Sequence, residues 1–69
     1  MSDAERKTFR YLAENGPSLP RDLAQAVGIT TRTQQRVDNR LEELGLITST
    51  GQGRAKRYFI KTIDSEKGR

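Results

Sequence analysis

The sequence contains no cysteine and no histidine. That removes disulfides, thiolate or imidazole metal sites, cysteine nucleophiles and the usual neutral-pH general base in one step. These absences argue against a hydrolytic or redox enzyme, and neither a cofactor nor a metal is expected. Apolar runs are short: none approaches the roughly 20 residues needed to span a bilayer, and the N-terminal MSDAERK lacks the apolar core of a signal peptide. A cytoplasmic protein with no membrane partner is the expectation. Apolar residues make up only 32% of the 69, matched by 32% charged, yet Leu, Ile, Val, Phe and Tyr recur periodically, as in a single small folded domain.

The net charge of +4 is unevenly placed. Residues 1–27 carry four basic and four acidic side chains, whereas residues 28–61 carry seven basic against three acidic, and the tail is neutral. The excess lies in one continuous half, the pattern of a polyanion-binding surface; chance clustering of solubilising charge is the plainer alternative.

Ser2-Asp3-Ala4-Glu5 fits a capping box, and Asn15-Gly16-Pro17 supplies a helix stop. The first predicted helix therefore covers residues 3–14, with Phe9, Leu12 and Ala13 on its buried stripe and Tyr11 at the margin. Pro20 suits the first turn of a second helix that Gly28 closes, with Leu23 and Val27 on one face. Leu19, in the extended linker, is a candidate for a brief strand against a later hairpin. Thr30 is the natural N-cap of a third helix reaching Leu44 and ending at Gly45, so only Gly28-Ile29-Thr30 joins the two helices, the tight connection of a helix-turn-helix. Beyond Gly45, residues 46–50 and 57–61 alternate as strands around Gly51-Gln52-Gly53, a β-hairpin with a basic tip. The domain is expected over residues 1–63, with a disordered tail at 64–69.

The third helix has one apolar residue, Val37, between Ile29 and Leu41, where an ordinary amphipathic helix would show a wider stripe. A helical wheel groups Val37, Leu41 and Leu44, with Thr33 beside them, as the core side. Opposite lie Arg32, Gln35 and Asn39, flanked by Thr31 and Arg36. Arginine can bond guanine through two donors, and Gln or Asn can bond adenine through a donor and an acceptor, so this face suits base edges in a major groove. A helix presenting that set can spare few positions for the core. Glu42 and Glu43 come too late in the helix to oppose it, because recognition helices read bases chiefly with their N-terminal half. An ordinary solvated face is the plainer reading of these residues. Tyr58, Phe59 and Ile60 read as core side chains rather than base-stacking ones, because the domain has few other large residues.

The order of three helices and a two-stranded β-hairpin, an α+β arrangement, resembles the winged helix-turn-helix family of small DNA-binding regulators of prokaryotes, archaea and phages. LAQAVGITTRTQQRVDNRLEELGLI is similar to the family's helix 2, turn, recognition helix and first wing strand, and GQGRAKRYFIK to its wing. The resemblance covers about residues 7–63. It implies that the third helix enters the major groove while the wing tip lies along the minor groove or phosphates. The expected function is sequence-specific binding of double-stranded DNA, as a transcriptional regulator. Arg32, Gln35, Arg36 and Asn39 are the expected base readers, and Thr31, Arg40, Arg54, Lys56 and Arg57 the phosphate or wing contacts.

Gln34 and Asp38 depart from the family pattern, standing where an apolar core residue is usual. Either Asp38 pairs with Arg40 or another basic residue, or the helix is rotated from the placement above. The Z-DNA-binding subgroup is disfavoured, because its recognition-helix Asn and Tyr align with Gln35 and Asn39 here and the wing lacks its paired prolines. A winged helix acting as a protein-interaction module in a transcription or replication complex is the alternative function. A homodimer and cooperative assembly on DNA both stay open.

Overall fold

The computed structural model describes residues 1–61; the expected tail at 64–69 and the last two residues of the expected domain lie outside them. Helices α1 (Asp3–Asn15), α2 (Pro20–Val27) and α3 (Thr31–Glu43) precede strands β1 (Ile47–Thr50) and β2 (Arg57–Ile60), with a 3-10 turn at Gly53–Ala55.

Local chemistry sets each boundary. The Ser2 hydroxyl accepts from the Glu5 amide while the Glu5 carboxylate accepts from the Ser2 amide, the reciprocal pair of a capping box. Pro20 opens α2 in the first turn, where a missing N–H costs nothing. Gly28 closes α2 in the left-handed conformation, φ 88° and ψ 33°, and its amide and that of Ile29 both donate to the Ala24 carbonyl. That reversal delivers Thr30, whose hydroxyl accepts from the Thr33 amide at 3.1 Å and so caps α3. At the far end, the Gly45 amide donates to the Glu42 carbonyl and the Leu46 amide to the Leu41 carbonyl, the paired bonds of a Schellman motif. The chain leaves that cap directly into β1.

The strands pair antiparallel with Ile47 opposite Ile60, Thr48 opposite Phe59, Ser49 opposite Tyr58 and Thr50 opposite Arg57. A third segment joins them through one residue: Ser18 and Tyr58 exchange amide–carbonyl bonds of 2.9 Å in both directions. The brief strand expected at Leu19 is reduced to this single bridge at Ser18, because Leu19 is already the N-cap of α2. Leu12, Leu23, Val37, Leu41, Ile47 and Tyr58 form the core, one or two from each element, with Phe9, Tyr11, Ile29, Leu46 and Ile60 packed around it.

Two expected stripes are displaced. On α1 the buried residues are Thr8 and Leu12, Phe9 is half-buried, and Ala13 is exposed. On α3 they are Gln34, Val37, Asp38 and Leu41, while Thr33 is exposed and Leu44 is 48% exposed. The helix is thus rotated by roughly 50° from the apolar placement, at about 100° per residue.

Hydrogen bonds supply the reason. Gln34 Nε2 donates to Thr8 Oγ1 at 2.9 Å and to Asp38 Oδ1 at 2.8 Å, so three polar side chains bury one another between α1 and α3. Thr33 is held outside by the cap, its hydroxyl accepting from Thr30, and Leu44 falls at the C-cap, past the last turn over the core. Asp38 pairs with Gln34 rather than with Arg40 or another cation; the ion pairs among the described residues join Asp3 to Arg6 and Lys7 on the exposed face of α1.

Burial, reinforced by Glu42 and opposed by the Gln34 hydrogen bond and Lys56, raises the Asp38 pKa from the ordinary 3.8 to about 6. Gln34 Oε1 and Asp38 Oδ2 are both buried acceptors without a partner among the described residues. A proton on the carboxyl turns one of them into a donor.

Between pH 4 and 6 the folded chain therefore holds a proton that the unfolded chain has released. This contribution to stability is complete below about pH 4, declines as pH rises and is gone above the folded pKa. Asp38→Asn, which keeps the shape without the charge, should flatten that decline and raise stability at pH 7 by roughly 1–3 kcal/mol, measured by denaturant unfolding of both proteins from pH 4 to 8. Parallel pH curves for the two proteins would contradict this.

Candidate nucleic-acid interface

The rotation of α3 leaves its Arg, Gln and Asn face outward. Arg32, Gln35, Arg36 and Asn39 are all exposed, as are Thr31 and Arg40 at the edges. Arg32 and Arg36 lie four apart, and so do Gln35 and Asn39, so the two pairs run side by side along adjacent rows. Gln35 Nε2 donates to Asn39 Oδ1 at 3.2 Å within its row. The same nitrogen donates to the Tyr58 hydroxyl at 3.2 Å, tying the helix surface to β2.

The hairpin stands beside this face. Arg54 and Arg57 are exposed and Lys56 is half-buried, its Nζ 5.2 Å from the centroid of the Tyr58 ring, a cation–π contact. The neighbouring Tyr58 hydroxyl, with smaller help from Glu42 and Asp38, raises the Lys56 pKa above its usual value. The Ser49 hydroxyl donates to the Glu42 carboxylate at 3.4 Å. Glu42 is thereby occupied at the base of the hairpin, away from the N-terminal half of α3.

Between them lies an open cleft of about 440 Å³. Leu19, Pro20 and Arg21 from the start of α2 form one wall, Thr31 and Gln35 of α3 form the floor, and Gly53 and Arg54 of the hairpin tip form the other wall. Two of the sequence-derived site residues on α3 and one on the hairpin thus converge here, while Arg32, Arg36, Asn39, Arg40, Lys56 and Arg57 do not line the cleft. Arg21 was not among the sequence-derived site residues. It belongs to the charge-balanced half of the chain, and only its place in the first turn of α2, folded back beside the turn into α3, signals its position.

Two glycines with positive φ shape the hairpin tip, Gly51 and Gly53, and at Gly51 the space is closed as well. Gly51 has φ 87°, and a Cβ there would fall 2.7 Å from the Ala55 carbonyl oxygen. A side chain would meet both a forbidden backbone conformation and backbone atoms that cannot step aside. Among the described residues, no three His, Cys, Asp or Glu side chains cluster as a metal site, and no helix is long and apolar enough to cross a membrane.

The Zalpha domain of Carassius auratus PKZ, solved in complex with Z-DNA, superposes with a TM-score of 0.79, covering 84% of this chain and 92% of that one at 21% identity. The fold is a winged helix-turn-helix. NadR, solved in complex with 4-hydroxyphenylacetate, superposes with a TM-score of 0.77 at 28% identity over 97% of this chain. This chain spans about half of NadR, 49% of its length. No family model and no curated protein matches the chain. In winged-helix terms α3 is the recognition helix and the β1–β2 hairpin is the wing.

Gly51→Ala should reshape the wing tip at a cost of about 1–2 kcal/mol while leaving the helical core intact. Thermal melts should show the loss, and amide chemical-shift changes should be confined to residues 50–57. Changes that spread through α1 would contradict the local account.

Proposed function

We propose that this protein binds double-stranded DNA sequence-specifically and acts as a transcriptional regulator. The recognition helix would enter the major groove, and the wing would follow the minor groove or the phosphate backbone. The observation that carries this reading is the exposed face of Arg32, Gln35, Arg36 and Asn39, which reaches through Gln35 into a cleft that Arg54 of the basic wing tip also lines. Arginine and amide side chains on the N-terminal half of such a helix match the donors and acceptors that base edges present. Thr31, Arg40, Arg54, Lys56 and Arg57 border that face, where phosphates flank an occupied groove. The Zalpha domain with the same fold was solved in complex with Z-DNA, which supports a nucleic-acid partner for this architecture.

A protein-interaction module is less well supported. Interaction surfaces concentrate aromatic and aliphatic anchors, whereas the large exposed apolar residues described here are Met1 and Leu44, neither of which lines the cleft.

Anisotropy titration of a labelled random-sequence duplex at two salt concentrations, followed by selection from a random pool, tests the reading. Salt-sensitive binding and an enriched motif are expected. Gln35→Ala should relax the preference at one base pair, whereas Arg57→Ala should weaken all sequences alike and lower the salt slope by about 1. A left-handed alternating C–G duplex serves as a further probe: tighter binding to it than to the selected motif would replace groove reading with recognition of Z-form backbone. Absence of binding at low salt would overturn the proposal altogether.

A further inference from the structure

We infer that Tyr58 is a specificity-determining positioning residue: its hydroxyl fixes the Gln35 amide so that Gln35 and Asn39 read DNA as one split unit, Gln35 offering an acceptor and Asn39 the donors. This rests on the DNA-reading function proposed above and assigns a role to a side chain that the core alone would explain.

A glutamine amide nitrogen has two hydrogens. Gln35 Nε2 spends one on Asn39 Oδ1 and the other on the Tyr58 hydroxyl, each at 3.2 Å. What remains for a base edge is Oε1, an acceptor. Asn39 is left with the complementary remainder: its Oδ1 accepts from Gln35, so its Nδ2 is the group free to donate. An unrestrained glutamine could turn its amide and bond adenine through both ends. A restrained one cannot.

Tyr58 is suited to the restraint. Its ring is wholly buried in the core, its backbone amide and carbonyl both bond Ser18 while it stands opposite Ser49 in the hairpin, and its hydroxyl reaches the foot of the reading face. An anchor this rigid holds an exposed amide at little further entropic cost, because the anchor is already ordered by folding. The surface residue alone, a glutamine with several rotatable bonds, has no such fixity.

The chemical consequence is specific. An acceptor aimed at the groove favours the amino groups of adenine N6 or cytosine N4 and is repelled by the keto oxygens of guanine O6 or thymine O4. At the strand position facing Gln35, the protein should therefore take amino bases over keto bases by about fivefold to tenfold, the worth of one net hydrogen bond. Asn39 should donate to a purine N7 or a keto oxygen at a neighbouring base pair.

Tyr58→Phe tests this by removing one oxygen while keeping the ring in the core. Two readouts are needed. In the free protein, the Gln35 side-chain amide signals of ¹⁵N-labelled material should shift, and its protons should exchange with water about two- to fivefold faster. In selection from a random pool, the amino-over-keto preference should fall to about twofold or less, with affinity for random duplex and the salt slope unchanged. A merely structural tyrosine would alter stability without touching the preference at a single base. Should Tyr58→Phe melt too low for either experiment, the wild-type protein supplies a second measurement: a slowly exchanging Tyr58 hydroxyl proton with a nuclear Overhauser contact to the Gln35 side-chain amide is expected, and a freely exchanging hydroxyl without that contact would overturn the inference. The inference stands only if both changes appear. If either is missing while the wild type selects a motif, Tyr58 does not position the reader and the DNA-reading function survives. If the wild type selects no motif, both fall together.

Discussion

The orientation of the recognition helix depends on two hydrogen bonds made by one buried amide. Gln34 reaches Thr8 on α1 and Asp38 one turn along its own helix. Only Val37 and Leu41 are apolar on the buried stripe of α3, and two side chains leave a helix free to roll over a small core. Directional bonds do not. They fix which residues face inward and so, by subtraction, which face the cleft. Their cost is a carboxyl held away from water, with its pKa at about 6. Where a buried polar group is fully partnered it favours a unique arrangement; here two acceptor atoms go unpartnered, and the helix orientation is obtained at the expense of stability.

Much of the fold was legible in the sequence because punctuation is local chemistry. Ser2 with Glu5, Gly16, Pro20, Gly28, Thr30 and Gly45 each satisfy or terminate backbone hydrogen bonds within a few residues of themselves, so their meaning needs no knowledge of the rest of the chain. The rotation of α3 was not legible in that way. Gln34 and Asp38 carry outward-facing chemistry, and only Thr8, 26 positions before Gln34, makes their burial tolerable. Ala13 is exposed because the buried stripe of α1 runs through Thr8 and Leu12, and Leu44 because it falls at the C-cap of α3. The exposed set of Arg32, Gln35, Arg36 and Asn39 withstood the error because a roll of roughly 50° moves them across an exposed face without turning them inward.

The cleft shows how short connections build a surface. Gly28 folds α3 back against α2, which brings Arg21 and Thr31 to the same wall and floor. The Schellman cap at Gly45 sends the chain straight into β1, and the hairpin register places Tyr58 inside while Arg57 and Lys56 stay at its rim. Tyr58 then links interior and surface: it packs in the core, bonds Ser18 through its backbone, lies under the Lys56 ammonium and accepts from Gln35. Core packing and the chemistry of the outer face are thus joined through one side chain.

If the outward face of α3 and the wing form one nucleic-acid interface, DNA should perturb both together. Chemical-shift mapping decides it, with ¹⁵N-labelled protein titrated by a duplex carrying a selected sequence. The largest perturbations should fall on Thr31, Arg32, Gln35, Arg36 and Asn39, on Arg54, Lys56 and Arg57, and on Arg21 at the edge of the cleft, while the outer face of α1 around Lys7 and Glu14 stays unmoved. Perturbations centred on α1, or no perturbation of α3 at saturating DNA, would contradict it.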